Sequence, residues 1–131
     1  MPKIIPTGEA SWVIQNDDGS VREATSYEVN IAQALMEAGW YQWEFIINFF
    51  LSPSKSLEID FAVYTVPKQT FIFVDGNFWH SGIEKSQDEV ERILLFAKSK
   101  DFANFPLTVN NQDCATIEAA RAWVLKNFGR R

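Results

Sequence analysis

The 131-residue sequence is short of several things at once: it has one cysteine, Cys114, one histidine, His80, and no long apolar run. A lone thiol makes no internal disulfide and cannot assemble a cysteine-rich structural zinc site. The longest apolar stretch, Trp43 to Leu51, is interrupted by Glu44 and Asn48. It falls well short of the roughly 18 residues that cross a bilayer, which excludes a helical membrane span. The opening Met-Pro-Lys-Ile-Ile-Pro lacks an apolar segment followed by a small-residue cleavage site, so the expected location is cytoplasmic. Charge is also sparse, at 22% of residues with a net −5, while 47% are hydrophobic. That balance excludes intrinsic disorder and suits one globular domain over 1–131, large enough to bury roughly two-thirds of its unfolded surface.

Basic residues are few and unevenly placed. Residues 1–75 carry four of them (Lys3, Arg22, Lys55, Lys68) against ten carboxylates, whereas 76–131 carry eight against seven. A net acidic domain has no long-range attraction to a polyanion, so any nucleic-acid footprint must be local and C-terminal.

Aromatic and turn residues are abundant and outline the architecture. Trp12-Val13-Ile14 and Val21 flank Asn16-Asp17-Asp18-Gly19-Ser20, which predicts a hairpin over 11–24. Thr25 or Ser26 can cap a helix over 26–38, with Tyr27, Ile31, Ala34, Leu35 and Ala38 on one face and Gly39 at its end. Three strands are expected next, at Trp43–Leu51, Leu57–Tyr64 and Thr70–Val74, joined by Ser-Pro and Val-Pro turns as an antiparallel meander. Val90, Ile93, Leu94 and Ala97 predict a second helix over 86–98, followed by a loop over 101–105 and a short strand over 106–109. Asp113 is expected to open a third helix that buries Ile117, Ala120, Val124 and Phe128. The step from the third meander strand through helix 86–98 to strand 106–109 should pair in parallel and be right-handed. The fold class is therefore α/β or α+β, with a mixed central sheet of about four strands flanked by helices.

Two polar positions interrupt the strand pattern. In Leu57-Glu58-Ile59-Asp60-Phe61-Ala62-Val63, alternation puts Leu57, Ile59, Phe61 and Val63 on one face and Asp60 on the other with Ala62. Aspartate is poorly suited to a strand interior. In Phe71-Ile72-Phe73-Val74-Asp75-Gly76-Asn77-Phe78-Trp79-His80, an apolar strand ends on an aspartate, turns, and presents two aromatics and the sole histidine. Adjacent antiparallel strands can bring Asp60 and Asp75 together as a hard, oxygen-rich site for Mg²⁺. Each residue also has an ordinary alternative: Asp60 solvated, Asp75 part of a turn, His80 a hydrogen-bonded structural residue, Phe78 and Trp79 core.

The run Ile59-Asp60-Phe61 followed about a dozen residues later by Phe71 to His80 resembles the active-site region of very short patch repair endonucleases and related small phage and bacterial nucleases of the PD-(D/E)xK superfamily. The resemblance covers 26–128 as a nuclease core and leaves 1–25 as an N-terminal hairpin extension. It implies a restriction-endonuclease-like fold and a Mg²⁺- or Mn²⁺-dependent DNA endonuclease of a bacterial or phage-infected cell. Asp60 matches the metal-binding carboxylate, the Val74 carbonyl a main-chain metal ligand, and Asp75 a further direct or water-mediated ligand. His80 matches the residue that activates the attacking water, Glu28 one that holds a metal-bound water, and Asp88 a carboxylate that orients His80. Phe78 and Trp79 match aromatics that wedge into DNA, and Lys85 is a candidate for phosphate contact together with Lys98, Lys100, Arg121, Lys126, Arg130 and Arg131.

The departures are equally specific. Asp75 is followed by Gly76 and Asn77, so no lysine completes a D/E-x-K motif, and His80 must supply the proton chemistry. Asn77 and Ser81-Gly82 stand where the repair enzymes bind a structural zinc, which is expected to be absent. The alternative function is a non-catalytic interaction module that keeps the nuclease-like fold and meets a protein partner in a larger DNA-processing complex.

Overall fold

The computed structural model describes residues 1–53, 55–75, 101, 103, 104 and 106–131, with the backbone alone at 49–52, 55–57 and 75. The expected helix 86–98 lies outside the described residues. Those described form two sheets and two α-helices, an α+β arrangement.

The first sheet has the order β1-β2-β3, with β1 at Lys3–Gly8, β2 at Ser11–Gln15 and β3 at Val21–Ala24, all antiparallel. The hairpin expected over 11–24 is present as β2 and β3, but a further strand precedes it. Pro2 and Pro6 obscure β1 in the sequence because proline gives nothing to a ladder; at a sheet edge that loss is tolerated, and Pro6 sits there opposite Trp12. The β2–β3 turn closes through Gly19 at φ +89°, a left-handed conformation that glycine adopts without steric penalty.

Helix α1 spans Ser26–Glu37 and opens with a reciprocal capping box: the Thr25 hydroxyl accepts the Glu28 N–H at 3.2 Å, and Glu28 Oε1 accepts the Thr25 N–H at 2.8 Å. It ends at Ala38, with Gly39 at φ +91°. A Cβ on Gly39 would come within 3.3 Å of the Arg131 carbonyl oxygen, because the chain's last residues dock here. Arg131 N–H donates to the Ala38 carbonyl at 2.8 Å, and the Trp40 indole donates to Gly129 O at 2.8 Å.

Helix α2 covers Ile117–Asn127 and is capped by Thr116, whose hydroxyl accepts the Ala119 N–H at 3.1 Å. The expected start at Asp113 is corrected: Asn111–Asp113 form a separate 3₁₀ turn, since the threonine supplies the side-chain acceptor that the first orphan N–H groups need. Ala120 and Val124 are buried and Ile117 and Phe128 pack beside the core, as the periodicity predicts. Across the α1–α2 contact, Arg121 grips Glu37 through Nε at 2.6 Å and Nη2 at 2.9 Å. The guanidinium holds the Glu37 carboxyl below its ordinary range, yet solvent screens an exposed pair of this kind and its contribution to stability is small.

The second sheet runs β4-β5-β6-β7, with β4 at Trp43–Ser52, β5 at Lys55–Val63, β6 at Thr70–Asp75 and β7 at Leu107–Asn110. β4–β5 and β5–β6 are antiparallel, and β6–β7 is parallel, with Ile72 opposite Leu107 and Asp75 opposite Asn110. The meander and the final parallel pairing are as expected. Phe45, Phe61, Val63, Ile72, Val74 and Val109 face Ile31, Leu35, Ala120 and Val124 of the helices in the main core, which Ile14 of the first sheet also joins. Ile59, Ala62, Phe71, Phe73 and Ala103 form a second buried cluster.

The two clusters overturn one expectation. Regular alternation would put Ile59 with Phe61 and Val63, yet Ile59 lies with Ala62 in the second cluster. The same inversion occurs across the ladder: Phe45 and Ile46 both pack against the main core, while Ile47 packs against the second cluster. The cause is local, because Ile46 has φ +57° and this left-handed step reverses the facing of the residues beyond it.

Candidate functional site

β5 is shared between two neighbours for only part of its length. It pairs with β6 at Phe61–Ile72, Ala62–Phe71 and Val63–Thr70, and with β4 from Val63 back to Lys55. Beyond Phe61 the two arms separate, β5 continuing with β4, and β6 with β7. Asp60 is the first residue past the branch.

Its carboxylate bridges the fork. Asp60 Oδ2 accepts the Val74 N–H at 2.8 Å, so this backbone donor is satisfied by a side chain where the β5 ladder no longer reaches it. The N–H and C=O of a strand residue point to the same side, so the Val74 carbonyl belongs to the edge that faces Asp60. Asp75 follows immediately as the last residue of β6. The Asp60 side chain is thus hydrogen-bonded to the residue before Asp75, whose own side chain lies outside the described structure.

The register from Phe45–Phe61 to Ile47–Ile59 places Ile46 opposite Asp60. A left-handed backbone costs an L-residue roughly 1–2 kcal/mol and is unusual for a β-branched one. Sequence reasoning gave no hint of it, since isoleucine in Trp43-Glu44-Phe45-Ile46-Ile47 reads as ordinary strand.

Glu28 stands apart from this fork in its bonding. One of its carboxylate oxygens closes the α1 capping box with Thr25, which is a sufficient structural reason for glutamate at that position. Phe78, Trp79, His80, Lys85 and Asp88 lie outside the described residues, so the fork is defined here by Asp60, Val74 and the backbone of Asp75.

The donor chemistry at the fork is hard oxygen, from one carboxylate and a neighbouring carbonyl edge, which fits Mg²⁺ or Mn²⁺ better than a soft metal. Among the described residues no three His, Cys, Asp or Glu side chains gather as a metal-holding group. Likewise, no helix among the described residues is long and apolar enough to cross a membrane.

A second polar feature supports the sheet from the other side. Asn16 is buried, its Nδ2 donating to the Phe45 carbonyl at 2.9 Å and its Oδ1 accepting the Phe45 N–H at 2.7 Å. The side-chain amide thus acts as a strand residue for β4, one position before Ile46. No family model matches the chain, and no curated protein or solved structure is similar enough to match it.

Proposed function

We propose that this chain is a metal-dependent DNA endonuclease that hydrolyses phosphodiester bonds, built on a restriction-endonuclease-like core and resembling very short patch repair endonucleases. The observation that carries this reading is the branch of β5 and β6, where the Asp60 carboxylate meets the backbone of Val74 next to Asp75. Asp60, the Val74 carbonyl and Asp75 would hold Mg²⁺ or Mn²⁺. When bound, such an ion neutralises charge on the phosphate and acidifies water.

The chain's own residues divide the remaining work. His80 takes the proton of the attacking water, and Asp88 orients its ring. Phe78 and Trp79 stack against opened bases, and Lys85 contacts phosphate. Glu28 positions water from the first turn of α1. The protein acts in the cytoplasm of a bacterial or phage-infected cell, with DNA as its partner.

The test is incubation of purified protein with supercoiled plasmid and Mg²⁺ or Mn²⁺, beside an EDTA control and Asp60→Asn. Metal-dependent nicking or linearisation that Asp60→Asn lacks supports the assignment; no cleavage under any metal condition refutes it. One observation favours a second reading, a non-catalytic module with a protein partner: Glu28 and Asp60 each already perform a structural hydrogen-bonding task. That reading expects the same stability with and without divalent metal and no change in plasmid.

A further inference from the structure

We propose that Ile46 is a positioning residue for Asp60, and that its left-handed backbone is what turns the Asp60 carboxylate into the fork between β5 and β6. The inference rests on the functional reading above for what Asp60 does, but its structural content is independent of metal. Three observations converge on one level of the sheet. Ile46 has φ +57° in the middle of β4 and lies opposite Asp60. At that level both strands reverse their facing, so Ile46 joins Phe45 on the main core while Ile47 and Ile59 pass to the second cluster. At the same level β5 leaves β6, and the Asp60 side chain takes the Val74 N–H.

In a regular ladder Asp60 would project from the face it shares with Ala62, roughly perpendicular to the sheet. A side chain that bonds an N–H of the neighbouring strand must instead lie near the plane of the sheet. Among the described residues of β4 and β5, Ile46 is the one with a positive φ, so the reversal of facing begins there. Its neighbour is held on the outer side, where Asn16 pins both backbone groups of Phe45. The left-handed step is thus braced between a fixed residue on one side and Asp60 across the ladder.

The test compares Ile46→Gly with Ile46→Ala by amide hydrogen exchange in the full chain. Both remove nearly the same side-chain contacts, but alanine retains the steric penalty of the left-handed region and glycine does not. If the turn at residue 46 and the Asp60–Val74 bond open together, Val74 protection should be about fivefold or more lower in Ile46→Ala than in Ile46→Gly. Protection at Ile72, inside the β5–β6 ladder, should agree within about twofold. Equal Val74 protection in the two variants, or lower protection in glycine, overturns the proposal. Ile46→Asn against Ile46→Thr repeats the comparison with larger side chains, asparagine being the one that tolerates positive φ.

Mn²⁺ titration of the wild-type chain separates this inference from the nuclease reading. Paramagnetic broadening centred on Val74 supports metal binding at the fork. Its absence, with the glycine–alanine difference intact, removes the metal assignment and leaves Ile46 as the residue that sets Asp60.

Discussion

Asn16 pairs with Phe45 as one strand residue pairs with another, its amide giving Nδ2–H to the Phe45 carbonyl and taking the Phe45 N–H on Oδ1. The bond reaches from the β2–β3 turn of the first sheet to the edge of β4 in the second, and Asn16 Nδ2 also lies 3.1 Å from Ser20 Oγ. A buried amide serves here because only a group that both donates and accepts can satisfy both backbone groups of Phe45.

Replacing Asn16 should therefore be costly and, for one variant, pH-dependent. Asn16→Ala leaves the two Phe45 groups without these partners and should cost about 2–4 kcal/mol. Asn16→Asp should lose a similar amount at neutral pH, because a carboxylate can accept from Phe45 but presents no proton to its carbonyl. Burial raises the folded-state pKa of the introduced acid, so its stability is greatest below the unfolded pKa and falls as pH rises through the folded one. Urea unfolding at acid and neutral pH checks this: the aspartate variant should recover relative to alanine on acidification, and a constant gap between them would contradict the pairing.

Asp60 substitutions should separate catalysis from support of the fork. Asparagine keeps an oxygen that can accept the Val74 N–H, so Asp60→Asn should remain within about 1 kcal/mol of wild type; Asp60→Ala leaves that donor without its acceptor and should cost about 1–3 kcal/mol. Both should abolish metal-dependent cleavage. Plasmid digestion by Asp60→Asn at the wild-type rate would show that the carboxylate is there for structure alone.

Glu28→Gln tests whether the first helical turn has more than a capping role. Glutamine can close the same box with Thr25, so thermal stability should change by less than about 0.5 kcal/mol. If Glu28 also positions water for hydrolysis, the cleavage rate should fall about tenfold or more, as expected when a group aiding proton transfer loses its charge. Unchanged stability together with unchanged rate would confine Glu28 to the cap.

Tyr64 should shape the alkaline limb of stability. Burial, followed by its hydrogen bond with the Glu44 carboxylate, pushes the phenol from an ordinary value near 10 up to about 12. The folded state thus retains a proton that the unfolded chain gives up. This contribution is full below pH 10 and is lost as pH rises through about 12. Tyrosinate absorbance should show a late-titrating residue among the three tyrosines, absent in Tyr64→Phe, and the variant should lose less stability than wild type between neutral pH and pH 11. A wild-type titration that Tyr64→Phe leaves unchanged would place the late group elsewhere.

What the sequence determined by itself is the part governed by local chemistry and periodicity. The 3.6-residue spacing of Ile31, Leu35 and Ala38, with Thr25 before it and Gly39 after it, specifies α1, and the Ser-Pro and Val-Pro turns divide the aromatic region into the strands of the meander. The parallel closing strand follows from the chain's need to return to the sheet, and the oddity of Asp60 was visible as a charge within an apolar run. Tertiary structure decided what spacing cannot encode. β1 forms because an edge is open to a proline-containing strand, and Asn16 becomes a strand mimic because Phe45 lies beside it 29 residues later. Ile46 carries no local mark in the sequence of its left-handed backbone, the step that parts Phe45 and Ile47 between the two clusters and sets the direction in which Asp60 points. Alternation along a strand is a rule about a regular ladder, and here the ladder is broken opposite Asp60.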